Sequence, residues 1–237
     1  MIGWKWTDHL IKRANELGIH VKGIHGRTAG FNESKTWLGK ILLGSLNSVF
    51  LETEHLLTEG QRCDYLLLHR STITESVVRL LLKHKDDHNQ IMIENVLTRD
   101  DFDRTIETVH YLNSCGINTG MMFDIVHFLR EPEFQKPHLT RFDGLITSLS
   151  LLSQTKIKVS LHFPIGTYEN DSLPLSKISP QMWNELSSAI SVLNPRYVVL
   201  ENQQKRAYSV YLPSWKHEEV AKRNRWVIEF LKDKHIL

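Results

Sequence analysis

Ile91-Met92-Ile93-Glu94-Asn95-Val96 and, about thirty residues further on, Met121-Met122-Phe123-Asp124-Ile125-Val126-His127 decide how this chain folds. In each, a short apolar run with strand character stops at a carboxylate, and the second adds a histidine three positions later. The same design recurs on both sides. Ile19–Ile24 runs into His25-Gly26-Arg27, and Tyr65–Leu68 ends at His69-Arg70. Further on, Lys156–Leu161 alternates as a strand and meets His162, and Tyr197–Leu200 terminates at Glu201.

Helical patterns fill the intervals. Thr7 can cap a helix carrying Leu10, Ile11, Ala14 and Leu17 that Gly18 ends, and apolar residues from Trp37 to Leu57 keep helical spacing across 34–59. Thr72 or Thr74 caps a helix expected to bury Val77, Val78, Leu81 and Leu82. Thr98 with Asp101 resembles a capping box ahead of Phe102, Ile106, Val109 and Leu112, with the helix ending near Gly116. Phe142, Leu145, Ile146, Leu149 and Leu152 form a helical stripe, preferred to a short strand over 145–147 because the spacing continues. Ser179-Pro180 is an N-cap followed by proline, opening a helix through Trp183, Leu186 and Ile190. A last helix is expected to pack Val220, Trp226, Val227 and Phe230. Strands alternating with helices imply a parallel α/β sheet, since parallel neighbours need a crossover that is usually helical. A barrel and a doubly wound sheet both satisfy the pattern.

The 237 residues suit one α/β barrel, and a single domain over 1–237 is expected. Hydrophobic residues at 41% and charged residues at 24% are ordinary for a globular protein. A net charge of +2, from 29 basic and 27 acidic residues without a like-charged block, gives no electrostatic case for nucleic acid as partner. Cys63 and Cys115 match no metal-binding spacing and cannot build a disulfide framework, so both are expected to pack as small apolar residues in a reducing compartment. There is no membrane-length apolar run and no signal-peptide pattern, which reads as cytoplasmic. The thirteen histidines are the compositional oddity and direct attention to metal ligands.

The expected strands thus end at His25, His69, Glu94, Asp124, His162 and Glu201, although Asp, Glu and His together are only about one residue in six. In parallel α/β folds the carboxyl ends of the strands face the site, so such residues converge from distant parts of the chain. Carboxylates and imidazoles converging suit a divalent metal. The plainer reading is polar strand ends satisfied by neighbouring backbone or water.

Ile93-Glu94-Asn95, Phe123-Asp124-Ile125-Val126-His127, Leu161-His162 and Leu200-Glu201 together resemble the xylose isomerase-like TIM barrels, which include sugar isomerases, sugar epimerases and the endonuclease IV family. The resemblance runs from about residue 20 to 202. It implies that Glu94, Asp124, His162 and Glu201 are metal ligands, with His127 near the substrate or a second metal. His25 and His69 match histidines that bind further metal ions in the endonuclease branch and are candidate substrate-binding residues. That branch also expects an Asp-x-His pair after His162, whereas Asp171-Ser172-Leu173 offers only the aspartate. Two more strands precede the one ending at His25 in the resembling families. Only about eighteen residues lie upstream of it here, so the expected fold is a TIM-barrel-like (β/α) barrel lacking its first two strands, incomplete or N-terminally truncated.

The expected function is a divalent-metal-dependent isomerase or epimerase of a small-molecule sugar or sugar phosphate. The metal would hold a carbonyl and a neighbouring hydroxyl and stabilise the enediolate formed on proton removal. Glu94 and Glu201 would exchange the proton as base and acid. The carboxylate-rich ligand set favours Mn, Mg or Co, with Zn as the remaining option. The alternatives are an endonuclease IV-like phosphodiesterase and a degenerate, non-catalytic barrel.

Overall fold

A computed structural model describes residues 12, 16, 18, 22–25, 54, 57, 63–86, 90–95, 99–130, 137–166, 172–203 and 214–236. The expected helices over 7–17 and 34–59 lie largely outside these residues, as do Arg27 and Asp171; Lys12, Glu16, Glu54 and Leu57 are described and are helical. The strands are β1 (Gly23–His25), β2 (Tyr65–His69), β3 (Ile91–Glu94), β4 (Thr119–Asp124), β5 (Val159–Gly166) and β6 (Val198–Gln203). The helices of the same residues are α1 (Glu75–Lys83), α2 (Arg99–Ser114), α3 (Ile125–Leu129), α4 (Phe142–Ser153), α5 (Pro180–Leu193) and α6 (Ser214–Asp233). None of the described helices is long and apolar enough to cross a membrane.

The chain divides into two compact units. One comprises Met1–Glu94 with Arg104–Met121, the other Asn95–Asp103 with Met122–Leu237, so β4 runs through both. In the first unit the strands follow sequence order, β1-β2-β3 and then the start of β4. β1 pairs parallel to β2, and β2 parallel to β3. In the second the order is the end of β4, then β5 and β6, with β5 and β6 parallel. Neither unit shows the order reversal that defines a doubly wound sheet, and steady progression is the barrel's way of adding strands.

All residues of β2, β3 and β4 are buried, which is why they read as unbroken apolar runs rather than alternating ones. Gly23 is required by packing: a Cβ there would lie 2.2 Å from the ring of Tyr65, its register partner on β2. In the first unit Leu66, Leu68, Ile91 and Ile93 form the core with Val77 and Leu81 of α1. Fully burying each such side chain stabilises the fold by about 1.5–3 kcal/mol. In the second unit Phe102, Phe123 and Phe128 meet edge to face, with centroids 5.3 to 5.5 Å apart.

Thr7 and Thr98 lie outside the described residues, and the helix signals within them act as the sequence implies. Thr74 caps α1 by accepting from the Val77 N–H at 3.3 Å, and Ser179 caps α5 by accepting from the Met182 N–H at 3.2 Å. Beyond α2, Gly116 takes φ +83° and the Ile117 N–H donates back to the Leu112 carbonyl at 3.1 Å. Asn194 ends α5 at φ 48°, in the left-handed region that asparagine tolerates.

Four expectations are corrected. β5 and β6 continue past His162 and Glu201, because a polar side chain ends an apolar run without ending a backbone ladder: Pro164 pairs with Glu201 and Gly166 with Gln203. On α1 it is Leu80 that is buried and Leu82 that is 37% exposed, since Leu82 lies one position round from the Val77–Leu81 stripe. Trp226 is 51% exposed and stacks on Phe230 at 5.4 Å instead of entering the core. Cys63 is buried, but Cys115, in the turn after α2, is only half-buried.

Candidate functional site

In the first unit, His69 and Glu94 are the last residues of neighbouring strands and stand opposite each other in the β2–β3 register. Register partners in a parallel pair face the same side, so the two side chains meet. His69 Nε2 lies 2.9 Å from Glu94 Oε2, and both side chains are almost completely buried. A carboxylate withdrawn from water needs such a partner, because an isolated buried charge is costly. The backbone after His69 is held by a short turn over Arg70–Thr72, with Thr72 Oγ1 donating to the His69 carbonyl at 2.6 Å.

In the second unit the Asp-x-x-His spacing has a local cause. Asp124 ends β4 and is the N-cap of α3, and His127 is the third residue of that helix. Asp124 Oδ1 accepts the His127 N–H at 2.7 Å, the usual bond between an N-cap side chain and the third helical amide. The other oxygen, Oδ2, is 3.3 Å from Nδ1 of His162 and 3.7 Å from Nδ1 of His127. Asp124 and His127 offer ligand atoms within 4.8 Å of each other, close enough to share one ion. Asp124 is 1% exposed and His162 5%, so this carboxylate and imidazole face each other away from bulk water.

Asn95 binds that arrangement together. Its Nδ2 donates to the Asp124 carbonyl at 3.0 Å, and its Oδ1 accepts the Asp124 N–H at 2.8 Å, a two-bond bracket on one residue's backbone. The carbonyl of Asn95 lies 2.9 Å from Nδ1 of His127. Asn95 is fully buried. Sequence reasoning gave it no role; the available signal was an amide directly after a strand-ending acid, where a surface turn would leave it in water.

The expected site residues therefore fall into pairs and singles. His69 meets Glu94, and Asp124 meets both His162 and His127. His162 is inside β5, in register with Val199, and Glu201 is inside β6, in register with Pro164. His25 ends β1 in register with Leu67, two residues short of His69 on the neighbouring strand. The side chains of His25 and Glu201 fall outside the described part of the structure.

No protein-family model matches the sequence, and no curated protein matches it either. Solved structures do match. One is the crystal structure of a xylose isomerase-like TIM barrel protein from Mycobacterium smegmatis in complex with magnesium. It is 9% identical, aligns over 98% of this chain and 79% of that one, and gives a TM-score of 0.53. Another is a xylose isomerase domain protein from Alicyclobacillus acidocaldarius subsp. acidocaldarius. It is 11% identical over 97% of this chain and 88% of that one, at a TM-score of 0.48. Likeness at such low identity is a likeness of architecture. This chain has the TIM-barrel-like fold of the xylose isomerase-like proteins.

Proposed function

We propose that this chain is a divalent-metal-dependent isomerase or epimerase of a sugar or sugar phosphate, with one barrel domain and Glu94, Asp124, His162 and Glu201 as the ligand set. The observation that carries the reading is the buried carboxylate of Asp124 flanked by the imidazoles of His162 and His127. The fold supports it, because barrel enzymes put their chemistry at the carboxyl ends of the strands, where Glu94 and Asp124 both stand. The magnesium of the Mycobacterium smegmatis protein is consistent with a hard, oxygen-preferring ion.

The donor chemistry fits such an ion: a carboxylate and an imidazole already turned towards each other, with no thiolate in the set. When bound, a divalent cation supplies Lewis-acid polarisation of a substrate carbonyl. The chain's own residues do the rest. Glu94 and Glu201 exchange the proton between adjacent substrate carbons as base and acid. His127 orients the sugar. Burial of His69 and Glu94 keeps water from competing for the proton.

The test is metal content and stoichiometry of the purified protein, followed by a ketose and aldose panel with Mn, Mg, Co and Zn in turn. Glu94→Gln is expected to retain part of the metal and lose turnover; full activity in that variant sinks the assignment. Nicking of abasic-site DNA in place of sugar turnover would point instead to the phosphodiesterase reading.

A further inference from the structure

We infer that Asn95 is a positioning residue that fixes His127 as the Nδ1–H tautomer, so that its Nε2 carries the lone pair offered to substrate. The inference rests on His127 acting as a substrate contact in the function proposed above. The deduction itself needs only hydrogen-bond chemistry. The Asn95 carbonyl, 2.9 Å from His127 Nδ1, can only accept, so the hydrogen of that contact belongs to Nδ1. In a neutral ring the lone pair is then on Nε2.

The carbonyl can play this part because the rest of Asn95 is immobilised. Its side-chain amide is committed to the N–H and the carbonyl of Asp124 at 2.8 and 3.0 Å, in a site without access to water. The Asp124 backbone in turn starts α3, and Asp124 Oδ1 holds the His127 N–H at 2.7 Å. His127 is thus gripped at its backbone by Asp124 and at its ring by Asn95, and one buried amide couples the two grips. The direction of Asp124 Oδ2 towards His162, 3.3 Å away, depends on the same bracket. Groups of this kind, which touch ligands without touching substrate, change metal affinity or activity by about 10–100-fold when removed.

The experiment is a long-range 15N–1H correlation spectrum of the metal-free full chain, read on neutral His127, together with Mn2+ titrations of wild type, Asn95→Ala and Asn95→Asp. Wild type is expected to show Nδ1 protonated and Nε2 bare. Asn95→Ala is expected to show a mixture of tautomers and to bind Mn2+ about 10-fold or more weakly. Asn95→Asp keeps the acceptor for the Asp124 N–H and loses the donor, and is expected to fall between the two. Protonated Nε2 in the wild type overturns the inference, and so does an unchanged tautomer in Asn95→Ala. Should Asn95→Ala not fold, the wild-type spectrum and Asn95→Asp decide alone. A wild type that binds no Mn2+ defeats the metal reading, whereas the tautomer is measured without metal and still tests Asn95.

Discussion

Strand β4 is gripped at both ends by an asparagine side chain, and the two grips use the same pair of bonds in opposite surroundings. At the amino end Asn113 Nδ2 donates to the Thr119 carbonyl at 3.1 Å, and Asn113 Oδ1 accepts the Thr119 N–H at 3.0 Å. At the carboxyl end Asn95 does the same to Asp124 at 3.0 and 2.8 Å. Asn113 is exposed on the last turn of α2, whereas Asn95 is fully buried. Solvent can replace the bonds of an exposed side chain more readily than those of a buried one, so the two brackets differ in what their loss costs. The comparison also separates roles, since the amino face of barrel strands serves stability and the carboxyl face carries chemistry.

The sharpest way to test that separation is to alter the strand at each end. Asp124→Ala is expected to abolish Mn2+ binding and sugar turnover, and to cost about 1 kcal/mol of stability for the lost helix cap. Thr119→Ala removes a buried hydroxyl that donates to the Ile117 carbonyl at 3.1 Å. It is expected to cost about 1 kcal/mol with unchanged Mn2+ affinity. Calorimetric titration and urea unfolding read both. Loss of metal in Thr119→Ala would erase the distinction between the two ends.

The brackets themselves give the next largest effect. Asn95→Ala strands a buried N–H and a buried carbonyl of Asp124, each worth about 1–3 kcal/mol when unsatisfied. A shift of about 2–6 kcal/mol is therefore expected in urea unfolding. Asn113→Ala is expected to cost about 0.5–1.5 kcal/mol, because Asn113 itself is exposed and water can enter where its side chain stood. Equal losses would mean that burial is not what distinguishes the two.

Much of this was legible in the sequence, for identifiable reasons. β3 was readable to its last residue because a fully buried parallel strand is an uninterrupted apolar run, and Glu94 ends both run and ladder. β5 was not, since the ladder with β6 carries on through His162 and Pro164 to Gly166. Steady strand order, which decides between barrel and doubly wound sheet, is a property of pairing that no run of residues reveals. The residues of the candidate site were picked out at strand ends, and the structure draws His69 to Glu94 and Asp124 to His162. The bracket of Asn95 is not legible in the sequence, because its two bonds reach across 29 positions and an asparagine after a strand ordinarily signals a turn.

A third test returns to the amino end. Gly116, in the turn from α2 into β4, has φ +83°, and a Cβ there would meet nothing within 4 Å. Gly116→Ala therefore suffers backbone strain alone, expected at about 1–2 kcal/mol, with no change in metal affinity. A much larger loss in thermal unfolding would reveal packing at this end that the present geometry lacks.

The smallest effect is expected at the half-buried thiol of Cys115, in the same turn. The thiolate is the reactive form, and burial, followed by the neighbouring charge of Asp64, pushes the Cys63 thiol above its ordinary value. Raising the pH thus ionises Cys63 later than a free thiol. A disulfide reagent at neutral pH is expected to modify Cys115 first, and Cys63 only on unfolding, as peptide mapping would show. Because an unfolded Cys63 ionises more readily than the folded one, its contribution to stability falls as pH rises past the free-thiol value. Protein labelled at Cys115 is expected to bind Mn2+ as tightly as unlabelled protein, since the turn feeds the amino end of β4 and the proposed ligand Asp124 stands at the other. Weaker Mn2+ binding after labelling would show that strain at the amino end travels along β4 to Asp124, and the two ends would then have to be treated as one coupled element.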